Sequence, residues 1–175
     1  QKKVEQTEEI LSRMLASDAE EKTRIDAANL WLSAKMTEKA EQLMKEGITL
    51  NQDSFDFRLY LAELYAKTKR MDESETVLRE ALELNADPGH PGIVKTKLAL
   101  AKLNLMRAKK SEGEKLVDEI LAEDPKNVEA HMLKGRLYLS RKEGENAIPA
   151  FRLVVEERPE QADGYLNLAQ AHIMN

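Results

Sequence analysis

Apolar and polar residues alternate along this chain with the spacing of amphipathic helices, and the helices themselves recur with a longer period. Small residues mark that period. Ala28, Ala62, Ala101, Gly135 and Ala169 fall on one column, spaced by 34 residues apart from a single five-residue insertion. A second small column reads Ala40, Ser74, Gly113 and Ala147. Between the two lies a ring-bearing or bulky position, Trp31, Tyr65, Asn104, Tyr138 and His172, and after the second comes a large apolar one, Met44, Leu78, Val117 and Phe151. Two helices that cross closely need small side chains at the crossing, since larger ones overpack the contact or hold the backbones apart. The pattern therefore predicts helix pairs at 21–54, 55–88, 94–127 and 128–161, an insertion loop at 89–93 and the first helix of a further unit at 162–175.

The departures carry their own expectations. Residues 1–20 place Val4, Thr7, Leu11 and Met14 at helical spacing, widened by Ile10 and Leu15, and read as an orphan second helix of a preceding unit or an N-terminal cap. Pro125 and Pro159 close the later units where Gln52 and Ala86 close the earlier ones, so helix ends in the first half are expected to be less sharply set. Asn104 replaces a ring, and Lys134 stands where Leu61, Leu100 and Leu168 stand elsewhere. Pro149 is placed near the first turn of its helix, where its missing N–H does little harm. The last segment has Tyr165, Leu168, Ala169 and His172 ready to pack with no second helix to receive them. That flank is expected either to continue into further chain or to support self-association. The start at Gln1 and the stop at Asn175 within an amphipathic helix suggest a fragment of a longer protein.

His131, Gly135, Tyr138, Ala147, Phe151 and Pro159 within 128–161 match the bulky–small–aromatic–small–aromatic–Pro signature of the tetratricopeptide repeat, which this chain resembles over nearly its whole length from Glu21. The resemblance implies an all-α, right-handed superhelical solenoid of antiparallel helix pairs, about four units plus flanking helices, acting as a non-catalytic scaffold for protein–protein contact. Two other roles fit the same scaffold. One is an accessory segment of a bacterial secretion or exopolysaccharide assembly system that binds partner proteins or an anionic polymer, and the other is the regulatory arm of an enzyme whose catalytic domain lies elsewhere.

Composition narrows the chemistry. The chain is 34% charged and 5% aromatic, with seven Gly and five Pro, as suits an all-helical protein. A net charge of -5 argues against general nucleic-acid binding, which rests on neutralising phosphates. There is no Cys, which removes disulfides, thiolate metal sites and cysteine nucleophiles. No apolar run approaches the roughly 20 residues that span a bilayer, so membrane insertion is not expected, and the compartment is left open between cytoplasm and periplasm. Phosphate-loop, dinucleotide, zinc-protease, serine-hydrolase and EF-hand motifs are all missing. The DPGHPG segment reads as a turn, the three His are too scattered for a metal site, and Glu119, Glu123 and Asp124 read as a solvated face. No catalytic residue, cofactor or metal is expected.

What the resemblance implies about binding is a groove lined by the first helix of each unit. The candidate residues are Leu59, Tyr60, Glu63 and Lys67 in one unit, Lys95, Leu98, Lys102 and Leu105 in the next, and Met132, Arg136 and Leu139 in the one after. The fifth and twelfth positions of the units, Ile25, Leu59, Leu98, Met132, Leu166 and Leu32, Ala66, Leu105, Leu139, Ile173, form an apolar stripe. It serves either packing between adjacent first helices or, if exposed, an amphipathic helix or apolar peptide. Between residues 88 and 111 there is no acidic side chain, while Lys95, Lys97, Lys102, Arg107, Lys109 and Lys110 are present. That run reads as a basic patch for an acidic peptide or other anionic ligand, or as a solvated surface offset by Glu63 and Glu129. Family members that clamp a chaperone-tail carboxylate need Lys, Asn and Arg where this chain has Ile25, Tyr60 and Ala99, so that role is set aside.

Overall fold

A computed structural model describes the backbone of residues 2–17, 20–85 and 87–175 and the side chains of 6–15, 20–85 and 87–175. The described residues are helical apart from short turns. The chain forms two compact units, residues 1–77 and 78–175, and the division falls inside the fifth helix.

The first unit contains α1 (Lys2–Ser17), α2 (Glu21–Ser33), α3 (Thr37–Leu50), α4 (Phe55–Lys67) and the beginning of α5 (Met71–Leu82). Each of α2 and α3 packs on the helix after it, and α2 also reaches α4, so first helices lie beside first helices. The core is built from the predicted columns: Ala28, Ala40 and Met44 are fully buried, with Trp31, Leu61, Ala62 and Tyr65 beside them in burial. The crossing of α4 and α5 is close enough for Ser74 Oγ to donate to the carbonyl of Ala62 at 2.7 Å, which is why that column tolerates only small groups. In α1, Leu11 is buried, Thr7, Met14 and Leu15 are half-buried and Ile10 is exposed, while the Val4 side chain lies outside the described ones.

The second unit continues with α6 (Pro91–Met106), α7 (Lys110–Glu123), α8 (Val128–Ser140), α9 (Gly144–Glu157) and α10 (Ala162–Met174). Again each helix packs on the next, and α8 touches both α6 and α10. One core cluster joins Leu98, Ala101, Val117, Ile120, Ala130, Leu133 and Leu137. A second joins Met132, Ala147, Phe151, Val154 and Ala171, with Tyr138, Leu139 and Leu168 packed against it. The small columns act here as in the first unit. A Cβ on Gly113 would lie 3.3 Å from the carbonyl oxygen of Ala101, and one on Gly135 would lie 2.5 Å from the Phe151 ring.

Helix starts follow from caps. Ser54 accepts from the Phe57 N–H, Asn127 from that of Ala130 and His90 from that of Gly92 through Nδ1. His90 caps α6 and Pro91 opens it, so only Gly89 and His90 of the loop expected at 89–93 lie outside a helix. Two further expectations need correction. The end of α3 at Asn51 (φ -130°, ψ 89°) has the same geometry as the end of α7 at Asp124 before Pro125 (φ -129°, ψ 87°), so the missing Pro does not blur it. The corresponding expectation at Ala86 lies outside the described residues. Pro149 stands beyond the first turn of α9, inside the helix and exposed, where water can take the carbonyl of Glu145 that a residue with an N–H would have bonded.

The turn from first to second helix repeats a conformation that composition did not announce. Lys35, Lys69, Ala108 and Lys142, one per pair, all have φ between 59° and 65°. The next residue's N–H bonds back five residues, Met36 to Trp31, Arg70 to Tyr65, Lys109 to Asn104 and Glu143 to Tyr138, which closes the helix in a Schellman turn.

Candidate protein-binding face

The groove candidates of the first unit lie on α4. Leu59 is half-buried, and the Tyr60 hydroxyl donates to Asn29 Oδ1 of α2 at 2.9 Å, tying the two first helices together. Burial, with the Glu63 carboxylate nearby, raises the Tyr60 phenol above its ordinary range. Glu63 and Lys67 pair with each other at 2.8 Å, both well exposed, so this stretch carries no net charge of its own.

In the second unit the first helices α6, α8 and α10 present the other candidates. Lys95 and Lys102 are exposed on α6, Leu98 beside them is buried and Leu105 half-buried. On α8, Met132 is buried, Leu139 half-buried and Arg136 exposed. Packing thus takes up most of the apolar stripe in this unit, and only Leu166 and Ile173 on α10 stand open, at 68% and 87% exposure. Asn167, on α10, donates to the Asp163 carbonyl at 2.6 Å and approaches Met132 Sδ at 3.7 Å.

The cationic run does not share one face. Lys97 turns to Glu119 of α7 at 2.8 Å, and Lys110 donates to the Ser140 carbonyl at 2.7 Å. Arg107 and Lys109 stand in the turn between α6 and α7. Lys95 and Lys102 remain on the first-helix face. One cation that sequence reasoning left aside, Arg158, joins them and Arg136: a pocket of about 190 Å³ is lined by Lys102, Arg136 and Arg158 together with Glu129, Asp163 and the apolar floor of Val128, Met132 and Leu133. Arg158 pairs with Glu129 at 2.6 Å and Arg136 with Asp163 at 3.8 Å. Arg158 caps the end of α9, which no first-helix pattern could flag.

The atypical residues are also placed. Lys134 leaves the helix-pair contact to bond Asp118 of α7 at 2.7 Å, an interaction that raises the Lys134 ammonium above its ordinary value. His131 bonds the Pro125 carbonyl through Nε2 at 2.9 Å, which ties the turn before α8 to that helix. Asn104 is buried at 2% exposure with no partner for Oδ1. Among the described residues no cluster of His, Asp or Glu could hold a metal, and no helix is long and apolar enough to cross a membrane.

Helix pairs with two small columns at their crossings, Schellman turns within each pair and first helices laid side by side define a helical-repeat protein. Two tetratricopeptide repeat models match the chain, over residues 32–90 and 98–162, and the chain belongs to that family. No curated protein matches it in sequence. Among solved structures, a thermophilic TPR protein of Thermus thermophilus superimposes with a TM-score of 0.77 at 17% identity, over 93% of this chain and 87% of that one. MamA from Desulfovibrio magneticus gives 0.66 at 18% identity, over 87% and 83%. YrrB, described as a TPR protein with an unusual peptide-binding site, gives 0.61 at 15%, over 93% and 82%. At these identities the likeness is one of fold.

Proposed function

We propose that the chain is a non-catalytic protein-binding scaffold whose second unit takes a peptide segment of its partner across α6, α8 and α10. TPR domains generally mediate protein–protein interaction, and the observation that supports this placement is the pocket where those helices bring Lys102, Met132, Arg136 and Asp163 together. Because Leu98 and Met132 are buried, the open part of this face on α6 and α8 is polar, which favours a polar segment there over an amphipathic helix seated on leucines. The test is panning of a random 12-residue peptide library against the chain, followed by backbone amide shift mapping with an enriched peptide. Shifts concentrated on α6, α8 and α10 support the reading, and shifts confined to α7 and α9 refute it.

A second reading, self-association through α10, is favoured by the exposure of Tyr165, Leu166 and Ile173, at 48%, 68% and 87%. Sedimentation velocity over a hundredfold concentration range tests it, and a constant monomeric coefficient rejects it.

A further inference from the structure

We infer that the pocket between α6, α8 and α10 recognises a glutamate side chain of the bound segment, and that Asp163 holds its place in the free protein. The inference rests on the peptide-binding reading above and specifies its chemistry. Five charged side chains line the pocket, and their pairing is unequal. Arg158 and Glu129 are closely matched at 2.6 Å and need nothing further. Arg136 and Asp163 are 3.8 Å apart, at the outer limit of an ion pair, with side chains 46% and 64% exposed. At that separation and exposure the attraction is largely screened, so Asp163 is readily exchanged for another carboxylate. Among the described residues Lys102, the third cation, has no ion-pair or hydrogen-bond partner, and it is exposed. Two cations from different helices thus face one loosely held carboxylate, which leaves a charge for an incoming anion to satisfy.

The floor selects among anions. Val128, Met132 and Leu133 lie under the charged rim, and Met132 and Leu133 are buried at 8% and 2% exposure. A carboxylate carried on methylenes lays them on this floor while its oxygens reach Arg136 and Lys102, which fits Glu better than Asp. The volume of about 190 Å³ is enough for one such side chain.

The experiment uses peptides enriched by panning the random 12-residue library, titrated by fluorescence anisotropy against the intact chain and its K102Q, R136Q and D163N variants. Their helical circular dichroism is compared with that of the parent first, and because all three side chains are exposed the fold should be kept. The expected result is enriched peptides that carry Glu, lose about tenfold in affinity when that Glu becomes Gln, and lose about fivefold or more on K102Q or R136Q. Asp163→Asn should strengthen binding about two- to fivefold, because it removes the internal competitor, whereas a merely structural pair would leave affinity unchanged or weaken it. Enriched peptides that map to α6, α8 and α10 yet tolerate Glu→Gln and K102Q overturn the glutamate assignment and leave the peptide-binding reading standing. No enrichment over a control protein overturns both. An oligogalacturonate that displaces the peptide as well as the free peptide does would reassign the pocket to an anionic polysaccharide and so overturn the inference.

Discussion

Replacing Gly135 by Ala sets two physical effects against each other, and the structure decides which wins. In an exposed helix the change should stabilise by about 1 kcal/mol, because Ala has the better helix propensity. Here a Cβ at Gly135 would fall 2.5 Å from two ring carbons of Phe151 and 2.8 Å from a third. Carbon atoms prefer about 3.5–4.0 Å, so the ring must retreat by about 1 Å. Phe151 is fully buried in a cluster with Met132, Ala147, Val154 and Ala171, so the ring moves only by displacing neighbours. Overpacking of this kind costs about 1–3 kcal/mol, which leaves a net destabilisation of about 0–2 kcal/mol after the propensity gain. The rest of the chain supplies the remedy: Ala28 goes with Met44 in the first unit, both fully buried, and Ala101 with Val117 in one cluster of the second. Phe151→Met should therefore cost about 1–2 kcal/mol alone, yet G135A/F151M should be less destabilised than the sum of the two changes by about 1 kcal/mol or more. Urea unfolding followed at 222 nm gives the three differences from the midpoints. Strict additivity, or a G135A variant more stable than the parent, would show that close ring-on-glycine contact does not set this helix crossing.

Three further changes test separate parts of the fold. Pro149→Ala should raise the unfolding midpoint by the equivalent of about 1–3 kcal/mol, since it restores an N–H inside α9; thermal melting checks it. Ala108→Gly should stabilise by about 0.5–1 kcal/mol, because at φ 59° an L residue is strained by about 1–2 kcal/mol while Gly loses back only part of that in entropy; urea unfolding reads it. Glu41, bonded by Arg70 and further by Lys45 and the Tyr65 hydroxyl, has its pKa held down to about 2 from 4.5. A depressed carboxylate contributes stability above its unfolded pKa and loses it as pH falls through the folded one. Between about pH 4.5 and 2 the parent should therefore lose about 1–2 kcal/mol that E41Q, already weaker at neutral pH, does not lose, the figure being reduced for solvent screening. Denaturation midpoints taken at each pH settle the sign.

The parts of this fold that could be read in advance are those where one residue type has one use. A small side chain at a helix crossing is such a case: Ala28, Ala62, Ala101, Gly135, Ser74 and Gly113 recur at fixed spacing where helices cross closely, and at Gly113 and Gly135 an added carbon meets a backbone or a ring. The turns within each pair were less legible although they recur as strictly. A left-handed turn residue is usually signalled by Gly, and here the position holds Lys35, Lys69, Ala108 and Lys142, types that otherwise read as helix formers. The surrounding Schellman bonds impose the conformation against local preference, so only the period could have revealed it. The Glu41–Arg70–Tyr65 cluster was hidden for another reason: its members are separated by 29 and 24 positions along the chain, and nothing in either helix marks them as partners.

The candidate binding face shows the same division between what periodicity determines and what it leaves open. Helical spacing puts Lys95, Leu98, Lys102 and Leu105 along one side of α6, but spacing alone does not separate a leucine that packs from one that is offered to a ligand. The neighbouring first helices answer that, by burying Leu98 and Met132 and leaving the cations between them open. Net charge is equally uninformative about local field. Six cations between residues 88 and 111 suggest a patch, yet Lys97 and Lys110 are spent on α7 and on the end of α8, while Arg158, more than fifty residues from Lys102, lines the same pocket. In a protein of this kind a recognition site is assembled from one or two side chains of each successive unit. Under the binding reading proposed above, replacing Lys102, which has no partner among the described residues, should therefore change what is bound while leaving the helix pairs intact.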